Sequence, residues 1–384
     1  MSNRWPGKIV IGLTGNIATG KSLVRRMLEH LGAFGIDADG LAHRAMSPGA
    51  PAYQPIVDTF GRWILTPDWQ IDREKLGKIV FTDPDAMARL EAIVHPIVLE
   101  VIDLLVRRAK QRVIAIEAIK LFESGIAKDC DTIWVVDAPP DVQLRRLMRD
   151  RKLGEADARM RIAAQAPQSD KLARAQVIIN NTGGYETTLE QVQRHLNALL
   201  GVKEAPPEPA PQVSTVSLPG EAAITIQRGG PKQAEMIAAF LNKMQGGSLT
   251  RTNVIDRFGQ KAYMMALAND QLIGLAGLQV ENLIARVDEF LLLPGAPANA
   301  VVRGLMESIE KAASDLQAEI ALVFLANNTP EPVSKAIEAL DYERRTPADL
   351  GRVPDWRQAA EESMPPNSYL LTKRLREDRV LKPI

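Results

Sequence analysis

Lys8–Ser22 reads KIVIGLTGNIATGKS, and its two parts decide the fold of the first half of the chain. Ile9 to Leu13 is a short apolar run rich in branched residues, the pattern of a strand buried in a parallel sheet. It runs straight into Gly15-Asn16-Ile17-Ala18-Thr19-Gly20-Lys21-Ser22, which fits the phosphate-loop pattern G-x-x-x-x-G-K-[ST]. The amphipathic stretch Leu23 to Leu31 supplies the helix that must follow. The glycines let the backbone wrap a phosphate group without Cβ clashes, and successive N–H groups at a helix N-terminus favour its charge. Lys21 is expected to reach the β- and γ-phosphates of a bound nucleotide, and the Ser22 hydroxyl to ligate Mg²⁺.

Working outward, 384 residues predict two domains of ordinary size. With 46% hydrophobic and 24% charged residues the composition is that of a soluble globular protein. A formal net charge of zero gives no bulk attraction to nucleic acid or membrane. Cys130 is the only cysteine, so a disulfide framework and a cysteine metal site are excluded. The N-terminal MSNRWPGK has no apolar signal core and no apolar run reaches spanning length, so a reducing cytoplasm is expected.

The composition breaks at residues 201–220, where Pro206, Pro207, Pro209, Pro211 and Pro219 predict an extended, partly stiff linker. Before it, residues 1–200 alternate strand and helix in the manner of a parallel sheet with helices on both faces. After it, residues 221–384 carry a separate α+β pattern.

Within the first half, Ala33 to Ile36 leads into Asp37-Ala38-Asp39, a strand delivering two carboxylates at its end. At the carboxyl edge of a parallel sheet, beside the phosphate loop, ligands bind. One carboxylate can accept a proton from a substrate hydroxyl, and the other can hold Mg²⁺ through water. A turn with an Asp cap before Gly40-Leu41-Ala42-His43 is the plainer alternative. Residues 53–110 read as mostly helical and include His95-Pro96. VIAIEA, 113–118, is a strand ending near Glu117, and IWVVD, 133–137, is another ending in Asp137. Arg145, Arg146, Arg149, Arg151, Arg159 and Arg161 follow on helices. Most read as a solvated face, but a lid arginine would neutralise charge on a transferring phosphoryl group. Val177 to Gly183 is a strand ending in Asn180-Asn181, placed to meet a base edge.

These segments together resemble the dephospho-coenzyme A kinase family over about residues 8–200. The resemblance rests on IGLTGNIATGKS, IDADGLAHR, DREKLGKIVF, LEAIVHP, IWVVDAPPDVQLRRLMRDR with ARMRIAAQ, and AQVIINNTG. It implies a P-loop NTPase-type sheet with a lid, and transfer of the ATP γ-phosphoryl group to the ribose 3′-hydroxyl of dephospho-coenzyme A. By the same resemblance Asp39 is the base, Arg149 the lid arginine, and Asn181 part of the adenine segment. Asp37, His43, His95 and Lys120 fall on the acceptor-substrate side. Many members have Asp-Val-Pro-Leu-Leu where this chain has Glu117-Ala118-Ile119-Lys120-Leu121, which brings the Lys120 cation toward the substrate. Another P-loop nucleoside or nucleotide kinase is the alternative. A GTPase is not, because no Asn-Lys-x-Asp segment is present.

The second half predicts a strand at Ile224–Ile226, a helix from Lys232 to Met244, and a hairpin, Lys261–Ala268 and Gln271–Val280, turning at Asn269-Asp270. A strand Val287–Leu293, a helix Asn299–Leu316, a strand Ile320–Leu325, a helix Val333–Leu340 and a last strand Ser368–Leu375 follow. This order, with NDQLIGLAGLQ, LLLPG and FLANNTPEPVSKAIEALDYER, is similar to GNAT-type acyltransferases. The pyrophosphate loop of that family is poorly matched at Leu293–Ala300, where Pro297 lacks an N–H donor and Arg303 lies one turn on. A packing role, a coenzyme A or acyl-CoA sensor and an active acyltransferase all stay open.

Overall fold

The computed structural model describes residues 4–202, 214–216, 224–351 and 353–381. Most of the expected linker lies outside them. Ser214–Val216 is the exception, forming a strand rather than a spacer.

The first half is a parallel sheet of β1 (Ile9–Thr14), β2 (Phe34–Asp37), β3 (Val113–Glu117), β4 (Thr132–Asp137) and β5 (Val177–Asn180). Their order is β2-β3-β1-β4-β5. β3 is buried along its whole length, which is why it reads as an unbroken apolar run. The helices are α1 (Lys21–His30), α2 (Ala38–Ala45), α3 (Tyr53–Phe60), α4 (Arg73–Val80), α5 (Pro84–Arg108), α6 (Pro140–Arg151), α7 (Glu155–Ala163), α8 (Gln168–Leu172) and α9 (Tyr185–Leu200). Both α4 and α5 begin at aspartates, Asp72 and Asp83, whose side chains accept from the first free N–H groups.

The second half begins with β6 (Ser214–Val216), β7 (Ile224–Arg228), β8 (Ala262–Ala268), β9 (Gln271–Glu281) and β10 (Ile284–Leu292). It ends with β11 (Ile320–Ala326), β12 (Glu343–Arg345) and β13 (Ser368–Arg374). They form one sheet, β12-β13-β11-β10-β9-β8-β7-β6, antiparallel except for the parallel pair β10 and β11. Asn269 and Asp270 both take positive φ at the β8–β9 turn, as do Asn282 and Leu283 at the next, the backbone that tight hairpins need. The helices are α10 (Ala234–Gln245), α11 (Arg251–Phe258), α12 (Ala298–Asp315), α13 (Glu331–Glu338) and α14 (Pro354–Ser363). The sequence pattern did not predict α11 or α14, both short and largely polar.

Alternation along β8 splits its side chains between two cores. Met264 and Ala266 face α12, while Tyr263, Met265 and Leu267 face α10 and α11. The second of these cores does not stop at the boundary between halves. It continues into Val24, Met27 and Leu28 of α1 and Tyr185 and Val192 of α9. Leu283 and Leu381 reciprocate by joining the core under β2 and α5.

Polar contacts follow the same seam. Gln317 donates to the carbonyl of Leu105 at 2.9 Å and Gln111 to that of Asp315 at 3.1 Å. Arg44 of α2, itself buried, meets Glu319 at 2.9 Å and Asp355 at 3.3 Å, and donates to the Asn282 carbonyl at 2.7 Å. The two halves therefore share apolar core and buried charge, where the sequence pattern predicts separate domains on a linker.

A shared core predicts one cooperative calorimetric transition for the full chain; two well-separated transitions would contradict it. Arg44→Leu leaves the buried Glu319 carboxylate with only the Val380 N–H at 2.9 Å and Arg379 at 3.8 Å, and should cost about 3 kcal/mol, measured by denaturant unfolding. Adding Glu319→Leu should recover part of that loss.

Candidate active site

β1 delivers the chain to the phosphate loop, and the loop's shape depends on two glycines. Gly15 has φ 149°, and a Cβ there would sit 2.4 Å from the carbonyl oxygen of Val136. Gly20, at φ 101°, caps α1, and a Cβ there would meet the Asn181 amide at 2.0 Å. Lys21 is buried under the loop with its ammonium 3.2 Å from the Asn16 carbonyl. Burial pulls its pKa below the ordinary lysine value, opposed by the charges of Glu117, Asp39 and Asp37.

Glu117, at the end of β3, accepts from the Ser22 hydroxyl at 2.7 Å and from Arg25 Nε at 2.9 Å. Arg25 also pairs with Glu29 one turn on, which completes a buried chain of charges along α1. Asp37 ends β2 and caps α2, accepting from the Gly40 N–H at 2.9 Å. Both readings of that stretch therefore hold at once: strand-end carboxylate and helix cap. Burial and the neighbouring charge of Glu117 raise the Asp37 carboxyl to about 6. Asp39 stands in the first turn of α2 and accepts from the Ile119 N–H at 3.0 Å. Burial raises its pKa too, partly offset by that hydrogen bond and by Lys21.

Lys120 follows Ile119 and reaches Glu91 of α5 at 2.6 Å. Met87, Glu91 and His95 recur at helical spacing, so one face of α5 looks onto this turn, with His95 half-buried. His43 is exposed one turn beyond Asp39. The structure thus gathers Asp37, Asp39, Lys120 and the α5 face on the side of the sheet edge away from α6.

On the opposite side the sequence-based expectations fare differently. Asn181 is 2% exposed, and its amide is used on the protein itself, donating to the Thr19 carbonyl at 2.7 Å and accepting from Thr188 at 3.0 Å. It braces the loop from behind. Arg149 is exposed and pairs with its neighbour Asp150 at 2.6 Å, whereas Arg151 lies close enough for its charge to act on Lys21.

Four further residues hold the loop, and of these only Arg146 stood out in the sequence, among the helical arginines and without this role. Arg146 donates to the carbonyls of Ala18, Thr19 and Asn181 and stitches the loop to β5. Gln165 and Gln168 accept from the N–H groups of Ile17 and Asn16 at 2.8 and 2.9 Å. Lys171 holds the Asn16 side chain at 2.9 Å. The segment after α7 therefore sits on the loop amides that a phosphate would use. Among the described residues no three His, Cys, Asp or Glu side chains converge as a ready-made metal site. Hard oxygen donors, Ser22 with Glu117 and Asp37 nearby, are what Mg²⁺ takes when substrate phosphates complete its shell.

In the second half β10 and β11 are paired from Ile284 with Ile320 to Val287 with Val323, and no further. Beyond that point β10 shifts register between Asp288 and Leu291, with Glu289 at φ 49°, and the two parallel strands part. Glu289 is held by Arg257 at 2.7 Å and the Tyr263 hydroxyl at 2.8 Å. Burial raises the Tyr263 phenol well above its ordinary range.

Comparison with known proteins bears on these observations. The family model "Dephospho-CoA kinase" matches residues 9–187. The dephospho-CoA kinase of Geobacter sulfurreducens is 44% identical over 193 residues, covering 50% of this chain and 96% of its own. That of Carboxydothermus hydrogenoformans is 45% identical over 186 residues, 48% of this chain and 90% of its own. The solved dephospho-CoA kinase from Campylobacter jejuni aligns at 29% identity with a TM-score of 0.37, over 50% of this chain and 96% of that one. A GNAT-family acetyltransferase from Streptococcus pneumoniae aligns at 12% identity with a TM-score of 0.29, over 39% of this chain and 98% of its own, a likeness that assigns nothing. The curated relatives are matched along nearly their whole length, and the match takes in the phosphate loop, the Asp37–Asp39 turn and the Glu117 strand end. Through its first half this chain belongs to the dephospho-CoA kinase family.

Proposed function

We infer that the chain transfers the γ-phosphoryl group of ATP to the ribose 3′-hydroxyl of dephospho-CoA, giving coenzyme A and ADP. The observation that carries this reading is the placement of Asp39. Its carboxylate is fixed by one backbone N–H, stands near Lys21, and borders the turn where Lys120 meets α5. A hydroxyl brought to that corner would lose its proton to Asp39 as its oxygen attacks the γ-phosphorus. The phosphorus–oxygen bond to ADP breaks as the new one forms. Lys21 would neutralise the β- and γ-phosphates. Ser22, with the Asp37 and Glu117 carboxylates nearby, would hold a Mg²⁺ ion that supplies further charge neutralisation. Phosphoryl transfer asks mainly for alignment and charge, so no covalent enzyme intermediate is needed.

For ATP to seat, the Asn16 and Ile17 amides must exchange Gln168 and Gln165 for phosphate oxygens. We therefore read α6 to α8 as the lid. Arg149 is its arginine by family resemblance, and Arg151 is the rival by its nearness to Lys21. Asn181 acts through Thr19, and adenine would meet its exposed neighbours. His95, His43 and Lys120 take the acceptor side, Lys120 exchanging Glu91 for a coenzyme phosphate. A reaction supplied by ATP suits the cytoplasmic setting expected for a chain with one cysteine.

We read residues 1–200 as the kinase unit and 221–384 as a second unit that binds coenzyme A or an acyl-CoA. The parting of β10 from β11 supports this, since it leaves unpaired strand edge that an extended pantetheine arm could join.

Asp39→Asn should lower turnover by about 10²–10⁴-fold with an unchanged melting temperature. Near-normal turnover would remove Asp39 as the base. Lys21→Ala should abolish transfer while dephospho-CoA still binds by calorimetric titration. Arg149→Met and Arg151→Met, compared in kcat, decide which one is the lid arginine. Without Mg²⁺, the Asp37 carboxyl is protonated at a higher pH in the folded chain than in the unfolded one. Its protonation thus stabilises the fold below about pH 4, and that contribution is lost as pH rises through about 6. Activity should run the other way, kcat/KM falling toward acid pH as Asp39, whose pKa burial raises, gains a proton. A kcat/KM that does not fall on acidification would contradict the assignment.

A further inference from the structure

At the end of α1 remote from the phosphate loop, the seam between the halves opens into a cleft enclosing about 620 Å³ of empty space, its mouth included. Its polar wall is supplied by both halves: Arg26 and His30 from α1, and Arg228 at the end of β7. Phe258, Met264, Leu278 and Val280 make the apolar wall. The anions nearby are already taken. Glu29 is paired with Arg25, while Asp288 and Glu289 hold Lys261.

The two arginines have no such partners. Arg26 uses its Nε on the carbonyl of Gly259 and meets no carboxylate among the described residues. The Arg228 side chain makes no hydrogen bond or ion pair among them; its Nε is shut off from solvent with nothing to donate to, and Glu29 is the carboxylate whose charge acts on it from nearby. Burial and the Arg228 charge push His30 down to about 3, so it stands neutral beside them. Two largely buried guanidinium groups whose shared neighbouring carboxylate, Glu29, is already paired with Arg25 are costly to hold side by side.

We propose that this cleft binds a small organic phosphate, its phosphate group held between Arg26 and Arg228 and its apolar body against Phe258 and Met264. A dianion matches the two charges, and planar guanidinium forks match phosphate oxygens. His30 gains a partner when the phosphate arrives and then becomes protonatable. Because the walls come from both halves, an occupant ties β7 and α11 to the helix that starts at the phosphate loop. Binding must therefore raise the stability of the whole chain.

The test uses the full chain carrying Lys21→Ala, which weakens phosphate binding at the loop, with inorganic phosphate and phenyl phosphate as probes. Calorimetric titration should give saturable binding, tighter for phenyl phosphate, and weakened about tenfold or more by either Arg228→Met or Arg26→Met. The His30 imidazole resonances, identified by their loss in His30→Gln, should titrate at higher pH in the presence of phenyl phosphate. Arg228→Met should also raise the melting temperature of the unliganded protein, since it removes a stranded cation and keeps the apolar stem. Binding that survives both arginine substitutions, no saturation up to about 10 mM, or a lower melting temperature in Arg228→Met would each overturn the proposal.

Discussion

The first half depends on one buried carboxylate. Glu117 closes β3, and its two oxygens are divided between Ser22, the last residue of the phosphate loop, and Arg25, one turn into α1. That pair of bonds fixes the helix N-terminus against the sheet at the point where phosphate must be held. The same charge acts on Lys21 and on Asp37, second only to burial in setting the protonation of each. An all-anionic corner would repel ATP; three carboxylates around one lysine and a helix N-terminus are tolerable because cations and N–H groups are interleaved among them.

The corner is also supported from the second half. Gly40 follows Asp39, and a Cβ on it would fall 2.0 Å from the Asn282 side chain of the β9–β10 turn. Arg44, one turn later on α2, is locked to Glu319, Asp355 and the Asn282 carbonyl. The helix that carries the proposed base is thus packed between its own sheet and a hairpin some 240 residues away in sequence. Since the curated relatives match only the first half, this support is a feature of the present chain's architecture.

Much of this was legible in the sequence, for definite physical reasons. A phosphate loop must be read from a strand into a helix, and Gly15, Gly20, Lys21 and Ser22 fall where that geometry requires them. The β8–β9 hairpin announces itself as two apolar runs meeting at Asn269-Asp270, a dipeptide suited to the left-handed backbone of a tight turn. Glu117 was legible only as a strand-end acid, because nothing local says whether such a group meets a metal, a substrate or an arginine. Arg146 and Gln168 sit on polar helices whose period says solvent, Gln165 in the bend between α7 and α8, and only the returning chain brings them onto the loop. The same blindness hid the shared core: Leu23 against Gly259, or Leu283 beneath α5, are pairings without any local repeat. The proline-rich stretch read as a spacer, which invited the expectation of two independent units.

The most direct test of the account is acceptor choice by the full-length protein. With ATP and Mg²⁺, turnover would be followed on dephospho-CoA, adenosine and nucleoside monophosphates, and the products identified by mass. The account predicts coenzyme A as the main product, with the smaller acceptors far slower because they leave Lys120 and the α5 face unused. Preferential phosphorylation of adenosine or a nucleoside monophosphate would keep the phosphate-loop chemistry but contradict the substrate assignment and the roles given to His95 and Lys120.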